Sequence, residues 1–352
     1  MYPFPGLLRF GHTGRVFPVP TAANDREPNA LLPPPPFAMP DRTLSSHRVS
    51  LVASLVALFV VLALAGSASP AFAQPATDAA ASTDSTEAEH PLWRVTSGAD
   101  TLHMLGSVHL LRPDAYPLAP TIQHVIERAE KVAFEVDLDS MQAAAPMMLG
   151  AGMYQSDSTL QQAVSDSTYA LLQSAIDTLA VPEARVRKMR PWLASLMVTS
   201  AVMQRSGYQM SLGIDQHVYQ KARERGAEVV GLETLREQID ILSAASSGDP
   251  DAYLRYSLEN LSASLDQVAR IMEGWKAGDV ERIARVMNEG MDEFPAVREH
   301  VLVRRNRNWI APIEDLMQDE KTVLVVVGVG HLVGEESVTQ MLRDRGYTVE
   351  QL

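Results

Sequence analysis

Cysteine is absent from all 352 residues. That one absence removes disulfides, thiolate metal sites, cysteine nucleophiles and iron–sulfur clusters together. Basic charge is also scarce: 30 Lys and Arg stand against 43 Asp and Glu, for a formal net charge of −13. Such a balance offers no basic track for nucleic acid, and the local run RRNRNW, Arg304 to Trp309, is too small to make one. Four catalytic signatures are missing as well. The chain has no HExxH helix, no G-x-S-x-G elbow, and neither a Walker loop nor a G-x-G-x-x-G that opens a helix. No repeat of fixed period is visible.

What is present begins with an address. Residues 1–38 are Pro-rich and read as a disordered extension, untranslated if Met39 is the start. From Met39 the pattern is that of a signal peptide over 39–73. Arg42 and Arg48 form the basic region, Leu51 to Ala65 the apolar run, and Ala71-Phe72-Ala73 a small-x-small site with cleavage after Ala73. The expected location is periplasmic or secreted. The competing reading keeps the segment as an N-terminal anchor, the sole membrane attachment the sequence offers, although the apolar run is shorter than the ~20 residues of a span. Residues 74–90, QPATDAAASTDSTEAEH, read as a flexible acidic linker. Residues 91–352 remain for one folded domain and are ample for a core.

Within that domain, LWRVTSG and TLHMLGS flank a short Gly-containing link and predict a β-hairpin. Ile122, Val125, Ile126 and Ala129 then follow a helical period, and KVAFEVD reads as a strand. Strand, helix and strand at this spacing suggest a βαβ unit with parallel pairing. The chain from about 140 to 315 is mostly helical, broken by the short strand AEVVGLE. Within it, Ser158 and Gln161 suggest a capping box, Gly226 ends a helix begun near Ile214, and Asp249 precedes Pro250 as a helix cap. TVLVVVG is the most strand-like run, followed by a helix and a last strand, YTVEQL. The expected fold is α/β, with a central sheet built from both ends of the chain and a largely helical middle.

The chemistry-bearing residues cluster at strand ends. Two apolar runs close on the same punctuation, Gly-Ser-Val-His at His109 and Gly-Val-Gly-His at His331. Glu135 and Glu233 also stand at or near strand ends, where ligands of open α/β sheets bind. A pair of imidazoles with one or two carboxylates is a plausible divalent site. Each buried Glu needs a partner. Two readings stay open: a structural ion pair, for example with Arg305, or one metal ligand and one general base. Asp137 shares the face of Glu135 or caps the following turn. Asp215 begins a helix and is most simply a dipole or capping residue. His217 and His103 read as surface, and Ser107 as an improbable nucleophile.

The segments LWRVTSGADTLHMLGSVHLL, VAFEVD, GIDQHVYQKARERGAEVVGLET, LVRRNRNWIAPI and VLVVVGVGHLVGEESVTQMLRDRGYTVEQL resemble the TraB/GumN family, whose animal relatives are the Tiki metalloproteases. The resemblance covers nearly all of 91–352. It implies a mixed central sheet and a metal-dependent hydrolase, a peptidase acting on peptide or protein substrates. By resemblance His109, His331 and Glu135 hold a divalent ion (Zn, Mn or Co), with Glu135, Glu233, Arg305 and Asn306 as catalytic groups and Asp137 and Asp215 supporting them. The alternative is a non-catalytic protein that binds haem or another small ligand on the same fold.

Overall fold

A computed structural model describes residues 89–289 and 295–352. The expected Pro-rich extension (1–38) and signal peptide (39–73, with Ala73), and the expected linker (74–90) as far as residue 88, lie outside the described residues.

The hairpin forms as expected: β1 (Leu92–Ser97) pairs antiparallel with β2 (Asp100–Ser107), and Gly98 takes positive φ in the turn. After α1 (Pro120–Arg128) come β3 (Lys131–Val136) and the helices α2 (Ala144–Gly152), α3 (Asp166–Thr178), α4 (Pro191–Arg205) and α5 (Ile214–Arg225). β4 (Glu228–Glu233) interrupts the helical middle. It continues through α6 (Leu235–Ala245), α7 (Pro250–Glu259), α8 (Leu261–Ala277), α9 (Val280–Asn288) and α10 (Arg304–Met317). The chain closes with β5 (Val323–Gly328), α11 (Val338–Asp344) and β6 (Thr348–Gln351). Among the described residues no helix is long and apolar enough to cross a membrane.

The six strands make one mixed sheet in the order β4-β3-β5-β2-β1-β6. β4, β3, β5 and β2 run parallel, while β1 is antiparallel to both β2 and β6. One expectation is refined here. β2 and β3 flank α1 as a βαβ unit would, but they do not pair, because β5 lies between them: Val325 faces Met104 on one side and Ala133 on the other. The reason is composition. VLVVVG is buried at every position, and a strand apolar on both faces is most stable at the centre of a parallel sheet with both faces covered.

Alternation along β5 divides the core. Leu324 and Val326 join Leu105, Val132 and Phe134 beneath α1, α4, α5, α8 and α9. Val323, Val325 and Val327 face Trp93, Met104, Trp309 and Ile313 beneath α10 and α11. A satellite cluster around Leu172, Val198 and Leu254 holds α3, α4 and α7 together.

Local signals held to within a residue. α5 ends at Gly226 with φ 71°, and the Asp249 side chain accepts from the Ala252 N–H. The capping box falls one residue later than the sequence suggests, on Thr159 and Gln162, which places Leu160 in the interior with no exposed surface.

One glycine ties this scaffold to the sheet edge. A Cβ at Gly213, just before α5, would lie 2.4 Å from the His109 carbonyl oxygen. Gly213→Ala is therefore expected to destabilise the protein by about 1–3 kcal/mol through overpacking. A shift of the urea midpoint without change in slope would show it.

Candidate functional site

The two Gly-x-x-His segments meet at the carboxyl edge of the parallel strands. Ser107 at the end of β2 is the register partner of Gly328 at the end of β5. Gly106 lets the backbones close, since a Cβ there would stand 2.8 Å from Val329 Cγ2. Two further contacts fix the first segment: Trp275 Nε1 donates to the Gly106 carbonyl at 2.7 Å, and the Ile214 N–H donates to the Val108 carbonyl at 3.0 Å.

His109 is buried, and its Nδ1 lies 2.6 Å from Asp215 Oδ2. The carboxylate accepts the Nδ1 proton and so directs Nε2 the other way, where it is buried without a hydrogen-bond partner. Burial opposes a charge on this ring, but the field and hydrogen bond of Asp215 outweigh it, and the imidazole is raised to about 9. Asp215 itself is held low, because His109 outweighs its burial.

His331 sits in the turn after β5 with no exposed surface. Its Nδ1 donates to Asn306 Oδ1 at 2.6 Å, and the Asn306 amide in turn donates to the Glu336 carbonyl at 2.7 Å. That chain fixes the tautomer, so Nε2 accepts from Arg305 Nη1 at 3.1 Å. The Trp309 ring packs 4.4 Å away, centroid to centroid. Burial, then the neighbouring guanidinium, hold His331 well below its ordinary range.

Arg305 is the hub. A π-helical turn, Glu299–Val303, leads into α10 and supplies the Val301 carbonyl to Arg305 Nη1. Arg305 Nη2 lies 2.6 Å from Glu135 Oε2 and 2.6 Å from Glu233 Oε1, and Nε lies 3.0 Å from Glu233 Oε2. Glu135 also accepts from the Gly328 N–H at 2.8 Å and from Gln238 at 3.2 Å; Glu233 accepts from Trp309 Nε1 at 3.2 Å. Both carboxylates thus take part in the ion pair with Arg305. Burial, reinforced by the charge of Glu135, pushes Glu233 up despite Arg305.

The sequence-derived candidates divide accordingly. His109, His331, Glu135, Glu233, Arg305, Asn306 and Asp215 come to one sheet edge. Asp137 does not join them: its side chain accepts from the Asp139 N–H and closes the next turn. Among the described residues no three His, Asp or Glu side chains stand in metal-holding geometry. Arg305 lies between Glu135, Glu233 and His331, and the nearest approach of His331 Nε2 to Glu135 is 3.9 Å. Gln238, Trp309 and the Gly328 N–H escaped sequence reading. Trp309 had a signal, since it stands four residues after Arg305 on one helical face; the other two had none.

Two outcomes are expected. Arg305→Leu strands two buried carboxylates and costs about 3–5 kcal/mol. The loss is smaller at pH 5 than at pH 8, because the carboxyls can then fold protonated. In chelator-treated wild type, the histidines have opposite signs. The His331 pKa is lower folded than unfolded, so stability falls as pH drops below about 6.5, by up to ~1.4 kcal/mol per unit. The His109 contribution is complete below about 6.5 and is lost as pH rises toward about 9. Urea midpoints between pH 5 and 9 check both, with His331→Asn flattening the acid limb and His109→Asn the alkaline one.

Comparison with known proteins gives the same boundaries. The model of the TraB/PrgY/gumN family matches residues 91–351. YbaP of Escherichia coli K12 is 20% identical over 244 residues, covering 68% of this chain and 87% of that protein, and YbaP of Shigella flexneri matches equally. A protein named metalloprotease TIKI homolog, from Amphimedon queenslandica, is 24% identical over 192 residues, covering 47% of this chain and 37% of its own length. No solved structure matches.

Proposed function

This chain belongs to the TraB/PrgY/gumN family, and from that premise we propose that it is an exported, metal-dependent hydrolase of peptide bonds. The observation that carries the reading is His109: a buried imidazole whose Nδ1 is held by a carboxylate while its Nε2 lacks a partner, at the carboxyl edge of a parallel sheet. A carboxylate behind the far ring nitrogen is the usual support of a histidine metal ligand. The similarity to a protein named as a metalloprotease favours the same chemistry.

The donor set fits a divalent ion. Nitrogen and carboxylate oxygen suit Zn, Mn or Co. The cluster of Glu135, Glu233 and Arg305 carries one uncompensated negative charge with His331 neutral, which favours a further cation. His109, His331 and Glu135 would hold it, with the 3.1 Å contact from Arg305 to His331 giving way. Such an ion supplies Lewis acidity and lowers the pKa of a bound water.

The chain's own groups do the rest. Asn306 keeps His331 in the tautomer whose Nε2 carries the lone pair. Glu233, pushed up by burial, is the candidate to accept a proton from the attacking water. Arg305 balances the carboxylates and is available to developing negative charge. Substrates are peptides or proteins, met outside the cytoplasm if the signal peptide acts as read. Binding of haem or another small ligand without turnover is the alternative; a Soret band on haem addition, with no hydrolysis, would favour it.

The test is elemental analysis of protein purified without chelator, beside the His109→Ala, His331→Ala double variant, followed by a peptide-library screen with Mn, Co and Zn. About one divalent ion per chain, lost in the variant, with ion-dependent cleavage, is expected. A folded protein that takes up none of the three ions sinks the metal assignment.

A further inference from the structure

A cleft of about 580 Å³ lies between α9 and α11 and takes no part in the proposed chemistry. That volume is within the range of small-ligand sites. Trp93 of β1, Ala284 of α9 and Leu332 to Gly334, the stretch directly after His331, form its apolar wall. Glu281, Glu335, Asp344 and Arg343 bring charge to it, three acids against one guanidinium. Asp344 accepts from Gln340 at 2.9 Å, and Arg343 donates to the Val349 carbonyl at 3.2 Å. Among the described residues neither the Glu281 nor the Glu335 side chain has a partner.

A second, independent feature points to a ligand. Trp93 is 2% exposed, and its indole N–H meets no acceptor among the described residues. It is not shut off from solvent as the Trp192 N–H is, so it opens to the cleft that its ring lines. An indole N–H is a donor only, and it calls for an oxygen. The walls of the cleft also run on toward the candidate site. Ala284 and Met287 are i, i+3 neighbours on α9; the first lines the cleft and the second the space beside His109. On the facing wall Gly328 to Gly330 border His109 and Leu332 to Gly334 border the cleft, where a Cβ at Gly334 would stand 4.0 Å from that of Ala284.

We propose that this cleft is a subsite for a peptide carrying a Lys or Arg side chain, with the cation held by Glu281 and Glu335 and a main-chain carbonyl of the peptide accepting from the Trp93 N–H. The inference rests on the hydrolase reading and names its substrate class. A metal ion does not fit the same place, since among the described residues no three His, Asp or Glu side chains stand in metal-holding geometry. A side-chain ammonium or guanidinium needs no such convergence, because its several N–H donors serve separate carboxylates. Spacing sets where the basic residue falls. Glu281 and Met287 are six positions apart on α9, about 9 Å along the helix axis and about three residues of extended peptide. The basic residue is therefore expected about three positions from the cleaved bond.

Two measurements separate this inference from the hydrolase reading. The first is calorimetric titration of chelator-treated protein with a capped Ala/Ser peptide bearing one central Arg, and with its central-Glu counterpart. The Arg peptide binds and the Glu peptide does not. The exposed pair Glu281→Gln, Glu335→Gln weakens the Arg peptide about 10-fold, added salt weakens it further, and Trp93→Phe weakens it about 3- to 10-fold. The second is a cleavage profile of a peptide library by ion-loaded protein. Lys or Arg is enriched about three residues from the cleaved bond, and the Glu281→Gln, Glu335→Gln variant lowers the kcat/KM preference for basic over neutral peptides about 10-fold. Equal binding of the Arg and Glu peptides overturns the subsite whatever the catalysis, and so does cleavage indifferent to basic residues. A wild type that binds the Arg peptide through Glu281 and Glu335 but cleaves nothing with Mn, Co or Zn overturns the hydrolase and leaves the cleft a binding site for basic peptides.

Discussion

Everything at the sheet edge is organised around one buried guanidinium. Arg305 meets two carboxylates, a backbone carbonyl and an imidazole nitrogen, drawing β3, β4, α10 and the turn after β5 to a single point. A lone charge there would be expelled or neutralised. Shared among these groups it becomes the condition under which Glu135 and Glu233 can be buried at all. Such networks do not add stability in proportion to their number of contacts. What this one supplies is position, and position is what His331 and Asn306 require.

The second constraint is register. Ser107 opposite Gly328 places both Gly-x-x-His segments at the same level of the sheet, and a slip of one residue would turn each side chain to the other face. The core enforces that register from both sides, because the alternate valines of β5 are committed to separate hydrophobic clusters. Site geometry therefore follows from ordinary burial. No special loop is needed to bring the two halves together.

Much of this was legible in the sequence. The hairpin, the helix closed by Gly226, the cap at Asp249 and the apolar strand before His331 are local patterns, and local patterns survive into structure. Of the nine named candidates, seven share one edge: His109, Glu135, Glu233 and His331 stand at or near strand ends, where ligands of α/β sheets bind, and Asp215, Arg305 and Asn306 come to it on helices. Ala73 lies outside the described residues, and Asp137 serves a turn. What the sequence withheld was pairing. That Asp215 orients His109, that Asn306 orients His331 and that Gln238 reaches Glu135 depend on tertiary packing across long separations, and no spacing rule encodes those. The placement of β5 between β2 and β3 was hidden for the same reason.

That placement has a consequence in time. The strand that completes the sheet's interior is made after β2, β3 and β4, and synthesis runs from the N-terminus. Until β5 arrives, the inner edges of β2 and β3 have no mate, Glu135 lacks the Gly328 amide, and the second imidazole does not yet exist. Contacts of this sequence separation are slow to form. The molecule thus completes its candidate site late in its own assembly, and an unfinished chain holds only part of it.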